Sequence, residues 1–571
     1  MRIKLIRVIF SCALLVIVGN LFYVQVIQGP FFYQQSVNNR IRAVPQPGMR
    51  GRIKDCNGLV LAENRLSFNV AIIPQDVRNR DRLFAYLSRA LGMSKEKLAK
   101  QYLQKKIAPF APVVIVEDID RRLAMTLEEN KFLYPGLYIQ ESYRRTYPFG
   151  SIGAHVLGYV SKISESRAEK LKEYGYTVQS DVGYAGVEEF YDHFLKGQDG
   201  GLQIEVNSRG QQVRLLGVRQ GESGRDVALT IDWRVQQAAY EILGDRRGAI
   251  VLSDLDTGEI LGMVSSPSYD PNIFTDSQLR GRVATLFRDE SSPLLNRAMG
   301  AAYPPGSVFK NIVAIAGLMS GKINVHTSFT CPGYYSLGKR KFACAHVHGT
   351  QDLLEAISHS CNVYFFNVGD LLGPDPLEKT ARLLGLGSLT NVDLPAEEKG
   401  FIPGRASRKG RKDPGWYKGD TLNTSIGQGE VLSTPLQLVR MTATIARSGK
   451  EFQPHLIQDI GGQPMVKLST VKIIPFPEKI YETVQAGLRM TVTDGLGTGR
   501  ILNMDGFEVS GKTGTAQTVP GKENHAWFVG FNNLGKRRVV FCVFLEYGGS
   551  SYNAVVLTKE LLLRLREEDI L

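Results

Sequence analysis

AAYPPGSVFKNIVA, residues 301–314, sets Ser307 and Lys310 three apart at the start of an apolar run, directly after Pro304-Pro305-Gly306. The paired prolines are a helix-entry signal, and the following VFKNIVAIAGLM reads as a buried helix. Side chains at i and i+3 share one helical face, so serine and lysine come within reach of each other. Free N–H groups and the positive dipole end at a helix N-terminus favour developing negative charge. A hydroxyl is a poor nucleophile until a base takes its proton, and a lysine desolvated against an apolar helix can be neutral enough to take it. Spacing alone decides nothing, because Ser94/Lys97, Ser336/Lys339 and Ser469/Lys472 fit it as well. A helix cap with a surface lysine is the plain alternative for any single match.

Two further motifs change the reading. Ser360-Cys361-Asn362 ends the helix-like DLLEAISHSCNVYFF, and Lys512-Thr513-Gly514, the one Lys-Ser/Thr-Gly triplet, lies on the strand-like FEVSGKTGTAQ. Together they supply a nucleophile, a second hydroxyl and an amide to relay protons and hold substrate, and a cation and hydroxyl for a carboxylate. The motifs follow in this order at separations of 53 and 152 residues, an arrangement hard to obtain by chance.

Working outward, the chain of 571 residues predicts two or three folded units, without repeats or low-complexity tracts. From about Val227 the pattern runs strand, helix, then two β-runs around Asp256-Thr257-Gly258, then helices from Phe309 to Ala446, with strands returning at FEVSGKTGTAQ, HAWFVGFNN and RRVVFCVFLEY. Strands at both ends with helices between predict an α+β domain whose sheet joins sequence-distant segments. Before Val227, LSFNVAII reads as a strand, DRLFAYLSRALGMSKEKLAKQYLQKK as a charged helical section, and YPFGSIGAHVLGYV and DVGYAGVEEFYDHFLKG as short strands with Gly-rich turns. This half reads as a spacer or docking module.

At the N-terminus an apolar stretch from Val8 to Ile27 follows Arg2, Lys4 and Arg7, long enough to cross a bilayer. The small residues of a signal-peptidase site are missing beyond it, so the stretch reads as a retained anchor with the body outside the cytoplasm. The net charge of +13 then suggests anionic lipid or polymer nearby, and an exported domain argues against a nucleic-acid partner. The resulting division is a cytoplasmic stub at 1–7, an anchor at 8–27, a pedestal at 28–226 and a catalytic domain at 227–571.

Six cysteines do not make a disulfide scaffold, but Cys331, Cys344 and Cys361 cluster, and Cys344 and His348 are four apart. Three thiolates and an imidazole suit a closed tetrahedral Zn2+ site of structural type. A Cys331–Cys344 disulfide or plain buried thiols are the alternatives, and His346 competes with His348 as the imidazole.

The three motifs resemble those of the penicillin-binding protein and serine β-lactamase superfamily, S-x-x-K, S-x-N and K-T-G. RGRIKDCNGLVLA, YPFGSIGAHVLGYV and GYAGVEEFYD look like the N-terminal module of class B penicillin-binding proteins, and WYKGDTLNTSIGQGEVLSTPLQL resembles the segment between their second and third motifs. The resemblance covers nearly the whole chain, and the run Trp416 to Thr421 looks most like the elongation-specific members. Cys56 departs from the arginine common in the family's R-N-G, which leaves the packing role of that arginine open.

The resemblance implies a transmembrane helix, an elongated mixed α/β pedestal and a transpeptidase domain with a central antiparallel sheet, helices on both sides and a helical subdomain. It implies a D-Ala-D-Ala transpeptidase of the bacterial inner membrane, facing the periplasm and cross-linking peptidoglycan stem peptides in cell elongation. Ser307 would be acylated, Lys310 would be the base, and Ser360 and Asn362 would relay protons and hold the substrate amide. Lys512 and Thr513 would hold the carboxylate, Gly514 would permit close approach, and the N–H groups of Ser307 and Thr515 would form the oxyanion hole. β-Lactams would trap the acyl-enzyme; a glycan polymerase and scaffold proteins would be partners, and no organic cofactor is implied. Some elongation-type relatives carry a metal site of acidic, histidine and cysteine ligands at comparable places; this chain offers cysteines where acids can occur. A D,D-carboxypeptidase or β-lactamase, or a non-catalytic β-lactam sensor or scaffold, are the alternatives.

Three lesser features complete the reading. GRASRKGRKDPGWYKGD is a basic loop, solvated or drawn to anionic glycan or lipid. His525 and Trp527 line the cleft or pack within a strand, and Asp494 to Gly499 form a glycine-rich turn.

Overall fold

The computed structural model describes residues 2–46, 48–106, 108–174, 176, 180–207, 212–276, 279–410, 415–465 and 472–571. The chain folds as two compact units, one of 1–50, 64–144 and 196–224, the other of 51–63, 145–195 and 225–571.

In the first unit the helix Arg2–Phe22 continues as the π-helical turn Tyr23–Ile27, giving an apolar span over Leu5–Ile27. The charged helical section is two helices, Arg80–Leu91 and Lys95–Lys105. Gly92 breaks it at φ 65°, which a residue without Cβ adopts freely, and Ser94 caps the second helix by accepting from Lys97 N. Both helices bury Leu83, Leu87, Leu98 and Tyr102 against Val70, Ile72, Val113 and Ile115. Ile41–Gln46, Gly200–Val206 and Gln212–Arg219 form a separate antiparallel sheet.

The second unit is built on five antiparallel strands: Gly248–Asp254 (β1), Ile260–Ser266 (β2), Val509–Ala516 (β3), His525–Asn532 (β4) and Val539–Leu545 (β5). Their spatial order, β2-β1-β5-β4-β3, joins segments from both ends of the catalytic half, as the pattern predicted. Both faces are buried, and the two-residue period sorts the side chains between them. Ala249, Val251, Trp527, Cys542 and Phe544 enter one core with the helix Pro435–Ala446. Ile250, Leu252, Phe528, Phe541 and Val543 enter the other, under the helices Trp233–Leu243 and Ser551–Glu567. Each fully buried Val, Leu, Ile or Phe among them contributes about 1.5–3 kcal/mol.

Between β2 and β3 lie the helices Lys310–Met319, Leu353–Ser358, Asn362–Leu372, Lys418–Ser425 and Glu478–Thr493. The glycine-rich stretches after Arg145 form the short helices Ala154–Leu157, Gly186–Phe190 and Asp192–Leu195 beside one strand pair, Val160–Lys162 with Asp181–Gly183. Of the basic loop, 411–414 lie outside the described residues. Arg408 is not solvated: its guanidinium lies 4.8 Å from the centroid of Trp416 and donates to Asp420 Oδ2 at 2.8 Å.

Candidate active site

Ser307 stands in a 3-10 turn, Gly306–Phe309, and the α-helix proper begins only at Lys310. In 3-10 geometry i and i+3 eclipse, so the serine-lysine relation survives the change of helix type. The tight turn follows from Gly306, which has φ 54° and approaches β3 so closely that a Cβ would lie 2.6 Å from Thr515 O. Two hydrogen bonds pin the turn: Gly306 N donates to Gly427 O at 3.0 Å, and Trp527 Nε1 donates to Pro304 O at 3.1 Å. Trp527 is therefore a fastening of the Ser307 turn, and His525 is buried beside it, accepting from Tyr547 N at 3.1 Å.

Lys310 is fully buried. Its Nζ donates to Ser360 O at 2.7 Å, Ser360 Oγ at 3.3 Å and Asn362 Oδ1 at 2.6 Å. Burial pulls its pKa down to about 8, against the nearby sulfurs of Cys344 and Cys361, which raise it. A neutral amine is thus accessible near physiological pH.

The second motif does not end a helix. Ser360 and Cys361 lie in the break between Leu353–Ser358 and Asn362–Leu372, Asn362 opens the second helix, and Ser360 is left-handed at φ 57°. A non-glycine residue pays roughly 1–2 kcal/mol there, so neighbouring bonds must hold it. Lys310 supplies two of them, and Asn362 Nδ2 adds a bond to Ala343 O at 3.1 Å.

Lys512 is fully buried on β3, its Nζ donating to Thr513 O at 3.2 Å. Burial and then the charge of Lys310 push its pKa down, so the two ammonium groups oppose each other across the site. Thr513 Oγ1 donates to Thr498 Oγ1 at 2.8 Å. A Cβ on Gly514 would lie 2.8 Å from Pro305 O and 3.0 Å from Val308, so glycine lets β3 lie on the Ser307 turn. Thr515, next along, is exposed. The structure thus brings Ser307, Lys310, Ser360, Asn362, Lys512, Thr513, Gly514 and Thr515 into one locality.

Cys331, Cys344, His348 and Cys361 also converge, with all four ligand atoms within 4.8 Å of one another. All three sulfurs belong to free cysteines, so the disulfide alternative is not formed. His348 Nδ1 lies 3.6 Å from Cys331 Sγ and 3.5 Å from Cys344 Sγ, while His346 meets the group through its carbonyl, which accepts from Cys331 Sγ at 3.6 Å. Cys344 is driven toward thiolate because the Cys361 thiol and backbone N–H groups donate to it, Asn362 N at 3.2 Å among them; Cys361 keeps its proton for the same reason.

The sequence reading missed Thr498. Its segment, DGLGTG, was expected to be a plain turn, yet it carries the hydroxyl against Thr513. His359 and Asp494 were missed too, and meet at 2.7 Å. A hydroxyl and a carboxylate inside a glycine-rich loop were the available signals.

Comparison with known proteins bears on this geometry. Residues 248–562 match the penicillin binding protein transpeptidase domain, and 45–229 the penicillin-binding protein dimerisation domain. The peptidoglycan D,D-transpeptidase MrdA of Haemophilus influenzae is 31% identical over 96% of this chain and 88% of its own. A complex of penicillin-binding protein 2 with MreC from Helicobacter pylori matches at TM-score 0.83 and 30% identity, covering 93% of this chain and 99% of that one. A peptidoglycan synthase complex coordinating polymerization and crosslinking matches at TM-score 0.73 and 32% identity, over 99% and 98%. The chain belongs to the penicillin-binding protein transpeptidase family and, most like penicillin-binding protein 2, is a serine D,D-transpeptidase that cross-links cell-wall peptidoglycan.

Proposed function

We propose that cross-linking proceeds through an acyl-enzyme on Ser307, and the observation that carries this reading is the buried amine of Lys310, three residues after Ser307, bonded to Ser360 and Asn362. Ser307 Oγ attacks the carbonyl of the penultimate D-alanine while its proton passes to Lys310 Nζ. The proton is relayed through Ser360 to the departing D-alanine nitrogen, and the C–N bond breaks. An amine from a neighbouring stem peptide then attacks the ester and gives up a proton, which passes by way of Lys310 to Ser307 Oγ as the ester C–O bond breaks, leaving a 4→3-type link and free serine. Lys512 and Thr513 hold the substrate carboxylate, Asn362 holds the amide, and Gly514 keeps the strand close. The N–H groups of Ser307 and Thr515 hold the oxyanion, each donor typically worth about 3 kcal/mol.

The reading extends to the cysteine cluster. Three sulfurs and an imidazole nitrogen of the observed mutual spacing fit a tetrahedral ion, and Cys344 is already driven toward thiolate. Cys331, Cys344, His348 and Cys361 would hold Zn2+, which would act structurally by fastening the Ser360 turn through Cys361.

The apolar span supports a single-pass anchor at 8–27 in the bacterial cytoplasmic membrane, with a pedestal at 28–226 and the transpeptidase domain at 227–571 on the periplasmic side. Stem peptides are the substrates and β-lactams the inhibitors. The MreC complex and the synthase complex of the relatives support a scaffold protein and a glycan polymerase as partners in elongation and shape maintenance.

The test is incubation of the full-length protein in detergent with a stem pentapeptide donor and an amine acceptor, read by mass. A cross-linked product that disappears in Ser307→Ala is expected. Tetrapeptide alone would overturn the transfer step in favour of hydrolysis.

A further inference from the structure

A continuous line of contacts leads from the cysteine cluster to β3 through residues that no catalytic motif contains. Gln351 Nε2 donates to His348 O at 3.2 Å and Thr350 O at 3.1 Å, which turns Gln351 Oε1 to His359 Nδ1 at 2.6 Å. The rings of His348 and His359 lie parallel within 6°, their centroids 6.2 Å apart. His359 Nε2 meets Asp494 Oδ2 at 2.7 Å. Asp494 shapes the loop that follows, its Oδ1 accepting from Leu496 N at 3.0 Å and its carbonyl from Gly497 N at 2.9 Å. Thr498 then donates both its N–H and its hydroxyl to Ser358 O, each at 3.3 Å, and accepts the Thr513 hydroxyl at 2.8 Å.

We propose that His359 and Thr498 are positioning residues: His359 fixes the 494–499 loop, and Thr498 thereby aims the Thr513 hydroxyl at the substrate carboxylate. The inference rests on the reading that Thr513 receives the carboxylate of a molecule that acylates Ser307.

A hydroxyl carries one proton and two acceptor lone pairs. In the structure the Thr513 proton points to Thr498, and the Thr498 proton points to Ser358 O. A carboxylate arriving at Thr513 draws that proton to itself. Thr498 then turns its own proton from Ser358 O to Thr513 Oγ1, and Ser358 O keeps the Thr498 N–H. Every oxygen remains hydrogen-bonded throughout, so the exchange avoids the cost of an unsatisfied buried group. The hydroxyl pair works only while the loop keeps Thr498 in place, and the His359–Asp494 contact anchors the start of that loop. Spatial continuity alone is not coupling, which a double-mutant cycle measures directly.

The test measures acylation of the full-length protein by benzylpenicillin, separating the dissociation constant of the first complex from the acylation step. Thr498→Val is expected to weaken that complex about tenfold, a typical consequence of one lost hydrogen bond, and to leave the acylation step within about twofold. Thr498→Ser should restore it. His359→Gln should weaken the complex in the same way, and the double variant His359→Gln/Thr498→Val should be no weaker than Thr498→Val alone. Should His359→Gln fail to fold by its thermal transition, Asp494→Ala carries the same cycle. Losses that multiply in the double variant, or a His359 effect confined to the acylation step through neighbouring Ser360, would overturn the proposal. A wild type that forms no acyl-enzyme would instead overturn the Ser307 reading.

Discussion

Lys512 to Thr515 and Ser360 to Asn362 stand on either side of Lys310, yet they are held by different means. The first group lies on a strand registered residue by residue against β4, from Val509 opposite Asn532 to Ala516 opposite His525. The second spans the gap between two helices and the first residue of the later one, with a left-handed serine and no ladder to support it. Its position depends on the buried Lys310 amine, on Asn362 reaching Ala343 O and on the cysteine group around Cys361. A strand carries its own geometry, whereas a turn in a strained conformation borrows its geometry from tertiary contacts.

The comparison breaks first at Lys310, which fastens the turn and is the proposed base. Lys310→Ala should slow acylation by about 100- to 10,000-fold, the usual span for a general base, while the thermal transition falls as well. Time courses with a fluorescent penicillin, alongside calorimetry, check both; an unchanged rate would remove the lysine from the mechanism.

Next is the cysteine group, which meets the turn through Cys361. On the zinc proposal, Cys361→Ser should lose the ion in native mass spectra and slow acylation, because the Ser360 turn loses a fastening. Chelation of the wild type should reproduce the rate loss. A variant of unchanged rate would show that the turn holds without the cluster.

The pH profile sharpens the contrast between the two lysines. Lys310 must be neutral to take the Ser307 proton, and its pKa is held near 8. Acylation should therefore rise about tenfold per pH unit below 8 and level off above it. A rate already flat between pH 6 and pH 8 would contradict a base with this pKa.

Smallest is the strand side. Trp527→Phe removes the bond to Pro304 O, worth about 0.5–1.5 kcal/mol, and should lower the thermal transition by a few degrees at most with acylation changed less than about threefold. A larger loss would mean that β4, not the glycine contacts of β3, fixes the Ser307 turn.

The same division decides what the sequence discloses. Strands β1, β2, β4 and β5 were legible because long apolar runs between turns can only be strands or buried helices, and their lengths choose strand. The three motifs were legible because each keeps its chemistry within four residues. The 3-10 start at Ser307 and the left-handed Ser360 were not, since both depend on close approach of distant backbone, as Gly306 on Thr515 shows. The pairings of Thr498, His359 and Asp494 were hidden for the same reason: their partners lie 15 and 135 residues away, and a hydroxyl and a carboxylate in a glycine-rich loop do not say what they meet. Arg408 read as one charge in a basic loop because only folding brings Trp416 under it.

The most direct test of the account is the intact mass of the full-length protein before and after benzylpenicillin, with Ser307→Ala alongside. The account predicts one covalent adduct on the wild type and none on the variant. An adduct that persists in Ser307→Ala, or its absence from a folded wild type, would contradict it.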